Sequence, residues 1–131
     1  MKRTVLVIED NEQNLYLVTF ILESNGYEVV PARDGRAGIE VAGRVVPDLI
    51  LLDIQLPSMN GYDVARELRC NTALAEVPIV AVTSYAMAGD RERALAAGCW
   101  GYIEKPINPE TFIKDMERHF RDDRCEKGNA Q

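Results

Sequence analysis

Leu49-Ile50-Leu51-Leu52 runs unbroken into Asp53, with Pro57 and Gly61 soon after. A short apolar run bounded by turn residues predicts a strand buried on both faces of a parallel sheet. Val5-Leu6-Val7-Ile8 repeats the pattern and again ends in acids, Glu9-Asp10. Residues 27–30, 78–82 and 100–103 are further strand candidates, the last two leading into Thr83-Ser84 and Glu104-Lys105-Pro106. Helical spacing fills the intervals. Leu15, Val18, Ile21 and Leu22 mark a helix over residues 11–25 that Asn25-Gly26 stops with a left-handed cap. Over 35–46, Ala37, Val41 and Val45 share a face until Pro47; over 62–70, Val64, Ala65 and Leu68 face inward. Residues 89–97 form an Arg- and Ala-rich helix with few large apolar groups, ended by Gly98. Phe112, Ile113, Met116 and Phe120 make a last amphipathic helix, with a polar segment beyond it.

Five strands alternating with five helices imply an α/β domain: a parallel sheet, right-handed crossovers and helices on both faces. A chain of 131 residues has room for one such core. With 47% hydrophobic and 27% charged residues the composition is that of a soluble globular protein. A formal charge of −6 argues against direct binding of nucleic acid, which needs a basic face. Glu9-Asp10 cuts the opening apolar run too short for an export signal, and no run approaches membrane-spanning length, so the expected location is cytoplasmic. Cys70, Cys99 and Cys125 are odd in number and widely spaced, as expected of reduced thiols.

In parallel α/β sheets ligands sit at the carboxyl ends of the strands. The first, third, fourth and fifth strands deliver Glu9-Asp10, Asp53, Thr83-Ser84 and Lys105 to that edge. Two carboxylates about 4 Å apart repel by roughly 4 kcal/mol at an effective dielectric near 20. Lys105 alone is placed to offset this, so the pocket suits a hard divalent cation, with Mg²⁺ favoured where ligands are few and water completes the shell. Asp53 beside such a cation could attack an electrophilic phosphorus, the cation and Lys105 neutralising charge on the equatorial oxygens. Thr83 could then hydrogen-bond the acyl phosphate.

Taken together, Glu9-Asp10, Asp53 with Pro57 and Gly61 behind it, Thr83, Tyr102 and Lys105-Pro106 resemble the receiver domain of bacterial two-component response regulators over essentially the whole chain. The resemblance implies a flavodoxin-like fold with strand order 2-1-3-4-5. It implies a phosphorylatable Asp53, and Mg²⁺ held by Asp10, Asp53 and the backbone carbonyl of Gln55, with Glu9 acting through water. Lys105 would bind the phosphoryl group, positioned by a cis bond to Pro106. Thr83 and Tyr102 would form the switch, while Gln55 and Tyr85 occupy positions that tune the phosphoryl lifetime. Ser84 departs from the family, where a smaller residue such as Ala is usual. The implied partners are a histidine kinase or histidine phosphotransfer protein, docking near the first helix, and a downstream protein that reads the face of the fourth helix, fifth strand and fifth helix.

Plainer readings exist for single residues. Asp10 could be only a helix cap, Lys105 a surface lysine, Thr83 a strand end and Tyr102 a half-buried aromatic; His119 reads as an outward-facing surface residue. Rival functions fare worse. An aspartate-based phosphohydrolase of the dehalogenase type needs a second Asp where this chain has Gln55, and a flavin-phosphate binder needs a Ser/Thr/Gly-rich loop where it has Glu9-Asp10-Asn11-Glu12. A non-phosphorylated pseudo-receiver and the receiver module of a hybrid kinase stay open. The expected organisation is a stand-alone receiver over residues 1–121 with a polar tail at 122–131 and no attached output module.

Overall fold

The computed structural model describes residues 2–56, 59–84 and 89–120. The apolar runs form β1 (Thr4–Ile8), β2 (Glu28–Ala32), β3 (Leu49–Asp53), β4 (Ile79–Thr83) and β5 (Gly101–Glu104). Between and after them lie α1 (Glu12–Ser24), α2 (Gly35–Val45), α3 (Gly61–Cys70), α4 (Asp90–Ala96) and α5 (Phe112–Glu117), with one 3₁₀ turn at Thr72–Leu74. All strands are parallel, in the order β2-β1-β3-β4-β5. Ile8 pairs with Leu52, Asp53 with Val82 and Thr83 with Glu104, so β1, β3, β4 and β5 end along one rim.

Strand alternation sorts the core into two layers. Leu6, Ile8, Ile50, Leu52, Ile79 and Ala81 meet Ala42, Val64, Leu68 and Ala94 of α2, α3 and α4. Val5, Val7, Leu49, Leu51, Val80 and Val82 meet Val18, Leu22, Phe112 and Met116 of α1 and α5. Because β3 is covered on both sides, Leu49–Asp53 is buried at every position, as its unbroken apolar run predicts. No helix among the described residues is long and apolar enough to cross a membrane.

Local chemistry sets the helix ends. Asn11, Asp34 and Asn60 each accept a backbone N–H of the following turn, capping α1, α2 and α3. The stop predicted at Asn25-Gly26 is present, with Gly26 at φ +87°. On α2 the expected apolar face is displaced: Val45 is exposed, and the buried stripe is Gly35, Gly38 and Ala42. The reason is close packing, since a Cβ on Gly38 would lie 2.4 Å from Cδ1 of Ile8. The second strand runs to Ala32 rather than stopping at Val30, because an edge strand tolerates Pro31.

The far pole is tied by side chains. The Tyr27 hydroxyl donates to Glu117, the Tyr27 ring stacks on Phe120 at 5.7 Å, and the Arg3 guanidinium lies 4.4 Å from the Phe120 ring. Arg69, in the last turn of α3, donates from Nε to the Gly98 carbonyl (2.9 Å) and from Nη1 to those of Leu74 (2.8 Å) and Val77 (2.7 Å). One guanidinium thus joins the turn before β4 to the turn after α4. His119 is not an outward surface residue: it is half-buried, and its ring occupies the space a side chain at Gly101 would need. Burial, with Arg118 and Arg91 nearby, lowers its pKa. Cys70 is exposed and Cys99 buried, both as free thiols, and burial pushes the Cys99 thiol up to about 11; Cys125 lies outside the described residues.

Candidate functional site

Three strand ends build an acidic pocket. Glu9 and Asp10 follow β1 and Asp53 closes β3; one carboxylate oxygen from each lies within 4.8 Å of the others. Glu9 and Asp53 are buried, only 4% and 3% exposed, while Asp10 is half-buried at the mouth. Lys105, immediately after β5, reaches in with Nζ 3.2 Å from Glu9 Oε1 and 3.5 Å from Asp53 Oδ2. The peptide between Lys105 and Pro106 is cis. Thr83 is buried at the end of β4, and its carbonyl accepts the Lys105 N–H at 2.7 Å.

Loop backbone fixes the carboxylates. The Gln55 N–H donates to Asp53 Oδ1 at 2.9 Å and the Asn11 N–H to Glu9 Oε2 at 3.2 Å. Gly61 makes the turn behind Asp53 possible, since its N–H donates to the Ile54 carbonyl and a Cβ there would stand 2.4 Å from Ile54 Cα. Across the rim, the Gln55 side-chain oxygen accepts from both the N–H (3.2 Å) and the hydroxyl (3.0 Å) of Ser84.

Burial, reinforced by the neighbouring Asp53 charge and a hydrogen bond to Asp53, pushes the Glu9 carboxyl up to about 7; Lys105 opposes this. Three carboxylates against one ammonium leave the pocket short of positive charge, and all its protein ligands are hard oxygens. That donor set fits a divalent cation of the Mg²⁺ kind, which prefers oxygen and keeps several waters.

The sequence therefore foretells a grouping that the fold produces: Glu9, Asp10, Asp53, Thr83 and Lys105 share one rim, with Gln55 beside Asp53. Tyr102 is elsewhere. It is half-buried on β5 and lines a groove of about 460 Å³ with Arg91, Glu104, Pro106, Asp115 and Arg118, on the face of α4, β5 and α5. The Arg91 guanidinium stands 6.0 Å from its ring, and burial raises its hydroxyl pKa. Tyr85 and Pro57 lie outside the described residues. The link between Gln55 and Ser84 was not foreseeable from either residue's type; the only signal was a hydroxyl at a position where the resembled family favours a smaller side chain.

Comparison with known proteins gives three consistent likenesses. The family model of the response regulator receiver domain matches residues 5–117. The polar-differentiation response regulator DivK of Brucella anthropi is 40% identical over 122 residues, covering 93% of this chain and 99% of that protein. Among solved structures, chemotaxis protein CheY4 of Vibrio cholerae has a TM-score of 0.88 at 29% identity, covering 92% of this chain and 100% of that one. The receiver domain of sensor histidine kinase PA1611 from Pseudomonas aeruginosa, solved with a magnesium ion coordinated in its active-site cleft, has a TM-score of 0.84 at 35% identity, covering 91% and 98%.

Proposed function

As the chain belongs to the response regulator receiver family of two-component signalling, in which phosphorylation and Mg²⁺ binding are general, we propose that Asp53 is its phosphoacceptor and the pocket around Asp53 its Mg²⁺ site. Receiver domains are signalling proteins rather than classical enzymes. The chemistry proposed here is confined to Asp53 itself: gain of a phosphoryl group and its later loss to water. The observation that carries the reading is the meeting of Glu9, Asp10 and Asp53 within 4.8 Å, with Lys105 against two of them.

Asp10, Asp53 and the Gln55 backbone carbonyl would hold the cation, with Glu9 acting through water. When bound, it supplies positive charge to the oxygens of the transferring phosphoryl group. The Gln55 N–H keeps Asp53 oriented for in-line attack, and Lys105 is released from Glu9 and Asp53 to meet the incoming anion. Thr83, buried at the end of β4, offers its hydroxyl to the new acyl phosphate.

Family membership implies exchange with histidine kinase or phosphotransfer partners and with downstream targets. In this reading a phosphohistidine donor docks near α1, in the cytoplasm. The added charge, roughly −1.5 to −2, biases an existing two-state equilibrium. Thr83 and Tyr102 carry the change to the groove between α4 and α5, where a partner protein reads it, and Gln55 and Tyr85 set its duration. The receiver unit is assigned to residues 1–121 and the polar tail to 122–131.

The test is labelling by acetyl phosphate with Mg²⁺, followed by mapping of the modified side chain. The reading requires a label on Asp53 that disappears in Asp53→Asn and when Mg²⁺ is chelated. Modification at another residue, or full labelling of Asp53→Asn, overturns it.

A further inference from the structure

Gln55 and Ser84 close the rim between the ends of β3 and β4. Two donors of Ser84, its backbone N–H and its hydroxyl, converge on the single side-chain oxygen of Gln55 at 3.2 and 3.0 Å. A backbone N–H can only donate, so the atom facing it has to be the carbonyl oxygen, which fixes the orientation of the carboxamide. The amide nitrogen of Gln55 is buried, with no hydrogen-bond partner among the described residues. The one proton-accepting atom of this side chain is therefore fully engaged, and only a donor is left over.

That arrangement bears on the hydrolysis of an acyl phosphate. In that step a water oxygen bonds to phosphorus while the bond from phosphorus to the Asp53 oxygen breaks. The carboxylate leaves with the electron pair, and the water proton passes to the released phosphate or to solvent. The attacking water gains from a proton acceptor that orients it. Gln55 stands two residues from Asp53 and donates its backbone N–H to it, so its side-chain oxygen is the acceptor this loop has to offer, and that oxygen is held by Ser84.

We propose that Ser84 is a positioning residue that acts through Gln55, keeping its carbonyl away from water and so prolonging the life of the phosphoryl group on Asp53. The proposal rests on the reading of Asp53 as phosphoacceptor. It concerns a residue at which this chain departs from the small side chain usual in the resembled family.

The experiment follows decay of phosphorylated protein in Mg²⁺ for the wild type, Ser84→Ala, Gln55→Met and the double variant. Ser84→Ala removes the shorter of the two bonds and is expected to speed decay about fivefold, the effect of one ordinary hydrogen bond. In the Gln55→Met background, where no carbonyl remains to hold, the same substitution should leave the rate unchanged. Equal acceleration in both backgrounds, or none in either, overturns the proposal. A second readout needs neither metal nor phosphate: hydrogen exchange at the Ser84 amide should quicken about tenfold in Gln55→Met. Unchanged exchange alongside normal labelling of Asp53 removes the clasp alone. Absence of any label on Asp53 removes the phosphoacceptor reading and the proposal with it.

Discussion

Lys105 Nζ and Glu9 Oε1 lie 3.2 Å apart although their strands, β5 and β1, are separated in the sheet by β3 and β4. The ammonium reaches across the rim because a buried carboxylate next to Asp53 is costly without an opposite charge. Even so the compensation is incomplete, as the raised Glu9 pKa shows.

A pH dependence follows for the metal-free protein. With the folded pKa of Glu9 raised from 4.5 to about 7, its contribution to stability is complete below pH 4.5 and is lost as pH rises through 7. Glu9→Gln cannot ionise and escapes this loss. In chelator, the stability of Glu9→Gln relative to wild type should rise by on the order of 1–3 kcal/mol between pH 4.5 and 8. Urea denaturation at the two pH values measures it. Added Mg²⁺ should restore the wild type at the upper pH and do less for the variant.

Gly61 makes a separate prediction. Its missing Cβ would meet backbone atoms of Ile54, which cannot swing aside as a side-chain tip can. Gly61→Ala should cost about 2–4 kcal/mol, in the range of overpacking and strain. Displacement of Ile54 would also carry the Gln55 N–H away from Asp53, so Mg²⁺ affinity, read by fluorescence or calorimetry on the folded fraction, should fall with it.

Val46 is the one described non-glycine residue with positive φ, +50°, and it is exposed. A β-branched side chain is poorly suited to that conformation, whereas Asn accepts it. Val46→Asn should therefore stabilise the fold by about 1 kcal/mol in thermal or chemical denaturation, without altering phosphorylation.

Tyr27→Phe keeps the ring stacked on Phe120 but removes the hydrogen bond to Glu117. The expected cost is about 1 kcal/mol. A matching loss in Glu117→Gln that is not additive with it would identify the pair as the source; a double-mutant cycle decides.

The acidic rim was legible because apolar runs lead straight into it: Ile8 to Glu9-Asp10, Leu52 to Asp53 and Val82 to Thr83, with Lys105 one residue further beyond Ile103. In a parallel sheet the end of a strand is a location, so position along the chain translates into position in space. The face of α2 was not legible. Periodicity weights large residues, whereas close packing over Ile8 selected Gly35, Gly38 and Ala42. His119 was misplaced for a related reason: the space it fills is left by Gly101, and an absent side chain gives no signal in a hydrophobic pattern. The reach of Arg69 to the carbonyls of Leu74, Ala75, Val77 and Gly98 depends on the path of two turns, which residue types alone do not encode.

That arginine has a mechanical consequence for α4. Its grip on Gly98 fastens one end of the helix to α3 and to the turn before β4, while the other end begins at Gly89. A tilt of α4 that preserves those bonds has its fulcrum at Gly98, so the arc swept is widest near Gly89. The fixed bearing of α4 is therefore set at the pole of the sheet opposite the acidic rim.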